Sequence, residues 1–195
     1  MNLHPHILVV DCSDRDDLLT RRQFVWPIQR AIHGLASSIH LSRFTASSIR
    51  GYDAVIFSGC TLKDNGFVSR AKKLGWLKNA GIPLLGICAG HELVGIVFGG
   101  KLERLKTPVI GMENVKLEGK RVPGLEILGG VISAYHLNGN VVSLPKGFVC
   151  VGHSPKIRNE AMVYPELKVM GFQFHPEYMH GDLIPSFVRW ACRKD

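Results

Sequence analysis

The sequence predicts an α/β domain, an open and mostly parallel sheet with helices on both faces and a small antiparallel extension. Three observations carry this. Short, continuously apolar runs bounded by polar residues recur along the first half, as strands buried on both faces require. Segments with apolar residues at helical spacing separate them, which places the strands side by side in parallel. The second half changes character, with short apolar segments divided by Gly, Pro and Asn.

Taken in order, Ile7 to Val10 is the first strand. Phe24, Ile28, Ala31, Ile32 and Leu35 follow at helical spacing, with Gly34 weakening the far end and Pro27 tolerated only near a helix start. Ile39 to Phe44 reads as a second strand and Ala54 to Phe57 as a third, left through Ser58-Gly59. Beyond a polar loop, Cys60 to Gly66, one helix carries Val68, Ala71, Leu74 and Leu77. Gly81 fits its stop and Pro83 the next strand, Pro83 to Ile87. Ala89 to Phe98 is helix, closed by Gly99-Gly100. The extension comprises Val109–Met112, Val115–Leu117, Val131–Ala134 and Val141–Leu144. Val169 to Phe174 is a last buried strand, and Leu183, Phe187, Val188 and Ala191 mark a terminal helix. No repeat, low-complexity tract or linker divides the 195 residues, so residues 1–195 are read as one domain.

Composition narrows the function. Hydrophobic residues make up 46% and charged ones 21%, the balance of a globular chain. The formal charge of +8 invites a nucleic-acid partner, but the basic residues are scattered. Arg21-Arg22 and Lys72-Lys73 read as solvated helix faces, and no arginine-rich arm or zinc-finger spacing appears. Five cysteines without a repeating spacing argue against a disulfide scaffold and for a reducing compartment. None has a CxxC neighbour, so neither a metal nor a redox centre is expected, and no cofactor-binding motif is visible. The apolar run at Ile7 is too short for a signal peptide, and none reaches membrane-span length, so the expected compartment is the cytoplasm.

Chemistry concentrates at Pro83-Leu84-Leu85-Gly86-Ile87-Cys88-Ala89-Gly90-His91-Glu92. A buried strand ends, a reactive side chain follows, then two small residues and a helix. That is the layout of a nucleophile elbow, in which the small neighbours permit a sharp turn. The helix N-terminus favours the thiolate. The same pattern also fits a buried cysteine with glycines for packing. A cysteine nucleophile needs a base, and the base an orienting group. Gly171-Phe172-Gln173-Phe174-His175-Pro176-Glu177 offers both, with His175 to take the thiol proton and Glu177 to hold the imidazole. His91, three residues from Cys88 along a helix, reads as structural or as pocket wall. His136 and His153 read as residues of exposed loops. Amide hydrolysis further needs N–H groups aimed at an oxyanion. Ala89 supplies one, and the loop Ser58-Gly59-Cys60-Thr61 is the natural source of a second.

Together these residues resemble the class I, triad-type glutamine amidotransferase family. Gly86-Ile87-Cys88-Ala89-Gly90-His91-Glu92 is similar to its nucleophile motif, and Gly171 to Glu177 to its histidine-glutamate motif. Ile7 to Asp11, Ile56-Phe57-Ser58-Gly59 and Leu144-Pro145-Lys146-Gly147-Phe148 echo further segments, and stand-alone glutaminase subunits of GMP synthase are the nearest likeness. The resemblance implies a flavodoxin-like sheet and a glutaminase in which Cys88, His175 and Glu177 form the triad. It implies an oxyanion held by the amides of Cys60 and Ala89, and substrate contacts from Gly59, Glu92, Tyr135 and His136. It implies L-glutamine as substrate and ammonia passed to a separate ATP-dependent synthetase, since no nucleotide-binding loop is present in this chain. A homo-oligomer is equally compatible, because a partner face and a homodimer face leave the same apolar trace. The chain departs from the family pattern at Cys60 (usually glycine), Thr61 (usually proline) and Glu92 (usually glutamine). It departs again at Tyr135-His136-Leu137-Asn138, where relatives carry Ser-His-x-Asp. Glu92 keeps an acceptor for the substrate ammonium but loses the amide donor, and its charge would repel the substrate carboxylate. These departures keep two other readings open, a stand-alone hydrolase of γ-glutamyl compounds and a non-catalytic relative.

Overall fold

A computed structural model describes residues 5–32, 36–119, 122 and 129–192. Nine strands form one sheet: β1 (Ile7–Asp11), β2 (Ala36–His40), β3 (Ala54–Phe57), β4 (Leu84–Ile87), β5 (Leu102–Glu118), β6 (Gly129–Val142), β7 (Val149–His153), β8 (Ala161–Tyr164) and β9 (Val169–Phe172). Their order is β2-β1-β3-β4-β9-β8-β7-β5-β6. The first five in that order are parallel and the remaining pairings antiparallel. The α/β architecture and the antiparallel extension are therefore as the sequence implies.

The apolar runs become strands because they are covered twice. Along β1, Ile7 and Val9 join one apolar cluster with Ile28, Phe187 and Trp190, while Leu8 and Val10 join another with Phe67, Leu93 and Val94. Successive side chains point to opposite faces of a strand, so an unbroken apolar run demands a helical layer on each side. One layer holds α1 (Leu18–Thr20), α2 (Trp26–Ala31), α5 (Pro176–Met179) and α6 (Leu183–Ala191). The other holds α3 (Gly66–Ala71) and α4 (Ala89–Val97).

Several elements differ from the sequence expectation. β2 runs from Ala36 to His40 rather than from Ile39 to Phe44. It pairs only with β1, whose register ends at Asp11 opposite His40, and a 3-10 turn, Leu41–Arg43, takes over there. The helix carrying Val68 to Leu77 splits into α3 and a 3-10 turn, Gly75–Asn79, with Gly75 at the junction. The four short segments of the extension merge into one long β5–β6 hairpin, with a register shift between Arg104 and Val109 that accommodates Pro108. β7 and β8, with residues of their own outside those four segments, complete the sheet. The expected helix end at Gly34 and Leu35 lies outside the described residues.

Pro27 is accommodated by irregularity. A π turn, Arg21–Val25, precedes α2, and Pro27 sits in the first turn of α2. Proline has no N–H for the carbonyl four residues back and its ring crowds that oxygen. The freed carbonyl, that of Gln23, accepts the Tyr178 hydroxyl at 2.7 Å. This ties α5 to the helical segment that begins at Leu18.

Candidate active site

Three adjacent parallel strands, β3, β4 and β9, deliver their carboxyl ends to one crevice, where open α/β sheets bind ligands. β4 ends in Cys88, which has φ 52 and ψ −110 and caps α4. Its backbone N–H bonds the Phe172 carbonyl at 2.8 Å, and its own carbonyl accepts the Glu92 amide at 3.0 Å. The small neighbours are required sterically. A Cβ on Gly86 would lie 2.4 Å from the Gly90 carbonyl oxygen, and one on Gly90 2.2 Å from that of Phe57. The elbow is thus built by backbone-on-backbone contact across β3 and β4.

From β9 the chain continues through Gln173 and Phe174 to His175. The His175 N–H bonds the Tyr135 carbonyl of β6 at 2.9 Å. Its ring is fully buried, and Nδ1 meets Glu177 Oε1 at 2.7 Å. Nε2 has no other hydrogen-bond partner among the described residues and faces Cys88. Burial alone would lower the imidazole pKa. The Cys88 sulfur and the Glu177 carboxylate on either side outweigh it and raise the value well above 6.5. Gly59 lies under both groups, since a Cβ there would be 2.5 Å from His175 Cε1 and 3.4 Å from Cys88 Cβ. Cys88, His175, Glu177 and Gly59, singled out in the sequence, are therefore neighbours in space.

Cys60 follows Gly59. It has none of the left-handed backbone geometry that would demand glycine, and its thiol turns inward toward the carbonyls of Thr61 and Asp64. Burial pushes that thiol well up in pKa. Among the described residues no hydrogen bond reaches the amide of Cys60 or of Ala89, and both residues line the small cavity that holds Cys88. Glu92 lines it too. The residue is 3% exposed, Gln173 Nε2 donates to Oε1 at 3.0 Å, and Asn140 also donates. Burial raises its pKa from 4.5 to about 7, against the pull of those two donors.

Two histidines stand apart. His91 is buried on the far side of α4 against the backbones of Gly171 and Asn159, and burial lowers its pKa to about 3. It does not face Cys88. The exposed-loop reading of His136 is corrected: it lies in β6, fully buried. Nδ1 donates to the Ala134 carbonyl at 3.0 Å, and Nε2 meets both oxygens of buried Glu160 at 3.0 and 3.1 Å. Neither nitrogen is left for a substrate. His153 is exposed at the end of β7. Tyr135 is half-buried, with its ring beside those of His175 and Tyr178.

The structure adds residues that the motifs did not single out. Asn138 Nδ2 donates to Cys88 Sγ at 3.4 Å and to the Gln173 carbonyl at 3.0 Å, while Cys88 Sγ approaches the Leu137 carbonyl at 3.7 Å. Asn138 belongs to the segment flagged as departing from the family, which was the available signal; Asn140 had none. Outside the small cavity opens a vestibule of about 710 Å³, lined by Phe24, Leu62, Met112, Tyr135, Leu137 and Tyr178 among others. Among the described residues no cluster of metal-ligating side chains occurs, and no helix is long and apolar enough to cross a membrane.

Comparison with known proteins gives the arrangement a context. The profile of the family described as glutamine amidotransferase class-I matches residues 20–193. The chain is 30% identical over 162 residues to a glutamine-hydrolysing GMP synthase subunit of Sulfolobus acidocaldarius, covering 77% of this chain and 82% of that one. It is also 30% identical over 202 residues to the GMP synthase of Bacillus subtilis, covering 95% of this chain but only 36% of the longer protein. Among solved structures, a GMP synthase subunit protein of Thermoplasma acidophilum superposes with a TM-score of 0.79 at 20% identity, covering 96% of this chain and 94% of the other. A glutamine amidotransferase from Thermotoga maritima gives 0.70 at 21% identity over 89% and 76%.

Proposed function

Because this chain belongs to the class I glutamine amidotransferase family, close to its GMP-synthase glutaminase branch, we propose that it hydrolyses the side-chain amide of L-glutamine and hands the ammonia to a separate ATP-dependent synthetase. Residues 1–195 act as one glutaminase domain. The observation that supports this most is the alignment of Cys88, His175 and Glu177, with the 2.7 Å carboxylate-imidazole bond behind the histidine and the nucleophile in front of it.

In this reading Cys88 carries its thiolate against a protonated His175, the pairing that the raised imidazole pKa supports. The sulfur attacks the side-chain carbonyl carbon of glutamine, and the developing oxyanion lies between the amides of Cys60 and Ala89. Collapse breaks the C–N bond while His175 gives its proton to the departing ammonia. Water then attacks the glutamyl thioester, His175 accepts its proton, and glutamate leaves as the thiolate is restored. Glu177 holds the ring in the orientation both transfers need. Gly59 leaves room for imidazole and sulfur to meet, Glu92 and Tyr135 flank the substrate, and the chain needs no cofactor for these steps. The acceptor of the ammonia, for which xanthosine monophosphate is the leading candidate by analogy with the GMP synthases, is bound by the synthetase.

Ammonia release from glutamine by the purified chain, with and without an ATP-dependent synthetase, tests the reading. Cys88→Ala is the control and should abolish turnover while leaving the fold intact. Cys88-dependent release that rises with the synthetase is the expected result. A second reading, a stand-alone hydrolase of γ-glutamyl compounds, draws on the apolar vestibule beside the nucleophile, which would house a bulky amine leaving group. Partner-independent turnover of γ-glutamyl anilides, with none of glutamine, would select it.

A further inference from the structure

We propose that Glu92 is the residue that sets which substrates the pocket accepts: as a carboxylic acid it admits an amide bearing a free carboxylate, and as a carboxylate it excludes one. The inference rests on the glutaminase reading above and extends it to the control of substrate entry.

The geometry is that of a buried acid with neutral neighbours. Glu92 lies one helical turn beyond Cys88 and shares its cavity. From β9, Gln173 Nε2 donates to Oε1, and from β6, Asn140 donates to the same carboxyl. Both are amides, so they orient the group without neutralising it. The loop after β3 contributes Cys60 and Asp64, the latter a second acid on the cavity wall. On α4 itself the titratable neighbours are Cys88 and His91, and His91 is held neutral by burial. The positive charge nearest the nucleophile is that of His175, which is matched by Cys88 and Glu177. No lysine or arginine lines this cavity among the described residues, and Lys63 belongs to the outer vestibule.

A free α-carboxylate entering such a cavity meets Asp64 and Glu92 with no side-chain cation, and only the substrate's own ammonium, to offset them. Repulsion between like charges at short range in a poorly hydrated site is large. Protonation of Glu92 removes one of the two charges and supplies an O–H donor in its place. Burial puts that protonation near neutrality, at about 7, so the switch falls within the range in which proteins work. Binding, rather than the bond-breaking steps, is the quantity affected, because the Glu92 carboxyl bonds to Gln173 and Asn140 and to neither the sulfur nor the imidazole.

The test compares wild type with Glu92→Gln, which keeps the shape and removes the ionisation. The KM for L-glutamine in wild type, divided by that of Glu92→Gln at the same pH, should be constant below about 7. Above it the ratio should rise about tenfold per pH unit, as a single ionisation requires. A parallel measurement needs no turnover. Alkylation of Cys88 by iodoacetate, divided by alkylation by iodoacetamide, cancels the ionisation of the thiol and reports the field felt by a carboxylate. That ratio should fall several-fold across the same window in wild type and stay flat in Glu92→Gln. A flat ratio in both proteins overturns the proposal. If no ammonia is released at any pH, the glutaminase reading fails on its own account, and the alkylation ratio alone decides whether Glu92 gates the cavity.

Discussion

At Cys88 the backbone takes φ 52, a conformation that costs a non-glycine residue on the order of 1–3 kcal/mol. It persists because the glycines at 86 and 90 let β3, β4 and α4 close tightly around it. Glu92 is a second residue held at a cost. Its folded-state pKa of about 7 lies above the ordinary 4.5, so on raising the pH the unfolded chain releases this proton first. Stability is therefore lost between about 4.5 and about 7, and the full penalty, on the order of 3 kcal/mol, is present above that window. Glu92→Gln should accordingly raise the unfolding midpoint at pH 8 and leave it nearly unchanged at pH 4, as thermal unfolding followed by circular dichroism at the two pH values would register. Legibility at this scale was uneven. The meeting of Cys88, His175 and Glu177 in space could be read from two short motifs, because each motif ends a neighbouring buried strand. The contacts of Asn138, Asn140 and Gln173 could not, although Asn138 stands in a segment that departs from the family pattern and Gln173 in the histidine motif, since each contact owes its place to a strand pairing distant in the chain.

The β5–β6 hairpin and the His136–Glu160 pair belong to the scale of elements. β6 carries the Leu137 carbonyl and the Asn138 amide to Cys88, and it receives the His175 N–H at Tyr135. The buried contact from His136 to Glu160, just ahead of β8, ties this strand to the neighbouring part of the sheet. Removing one member of a fully buried pair strands the other, at about 3–5 kcal/mol. Glu160→Ala should therefore lower the urea midpoint sharply, and the residual folded protein should alkylate Cys88 at an altered rate because Asn138 loosens with the strand. The sequence marked apolar pieces of this hairpin but not their union. Polar residues on its exposed positions interrupt the periodicity, and only the pairing with the opposite strand reveals continuity. The same limit applies to β2, which ends with its single partner rather than where its own apolar residues do.

Across the whole molecule, the apolar runs that predict the parallel sheet also predict its two helical layers, because each strand feeds both clusters. What no run predicts is where apolar surface is left over. Ile110 and Met112 of β5 stand opposite Leu137 and Tyr135 of β6, are 59% and 47% exposed, and continue the vestibule onto the hairpin surface. For the synthetase of the proposed function, this exposed apolar surface is the contact face to test. Ile110→Lys should leave the unfolding midpoint nearly unchanged yet reduce stimulation by the synthetase about tenfold, as a truncated contact in an interface core does; ammonia release titrated against the partner would measure it.

β6 is also the last strand of the sheet, and the outer rim of such a strand is where one polypeptide can template another. Here the middle of that rim is occupied by the molecule's own working parts, with the Tyr135 carbonyl taken by His175 and the Leu137 carbonyl facing Cys88. Those contacts leave the middle of the rim without free carbonyls at Tyr135 and Leu137 for a second chain to pair with. A molecule whose histidine segment detaches should bare this rim, so in a heated or ageing preparation the loss of Cys88 reactivity and the onset of clumping should appear together.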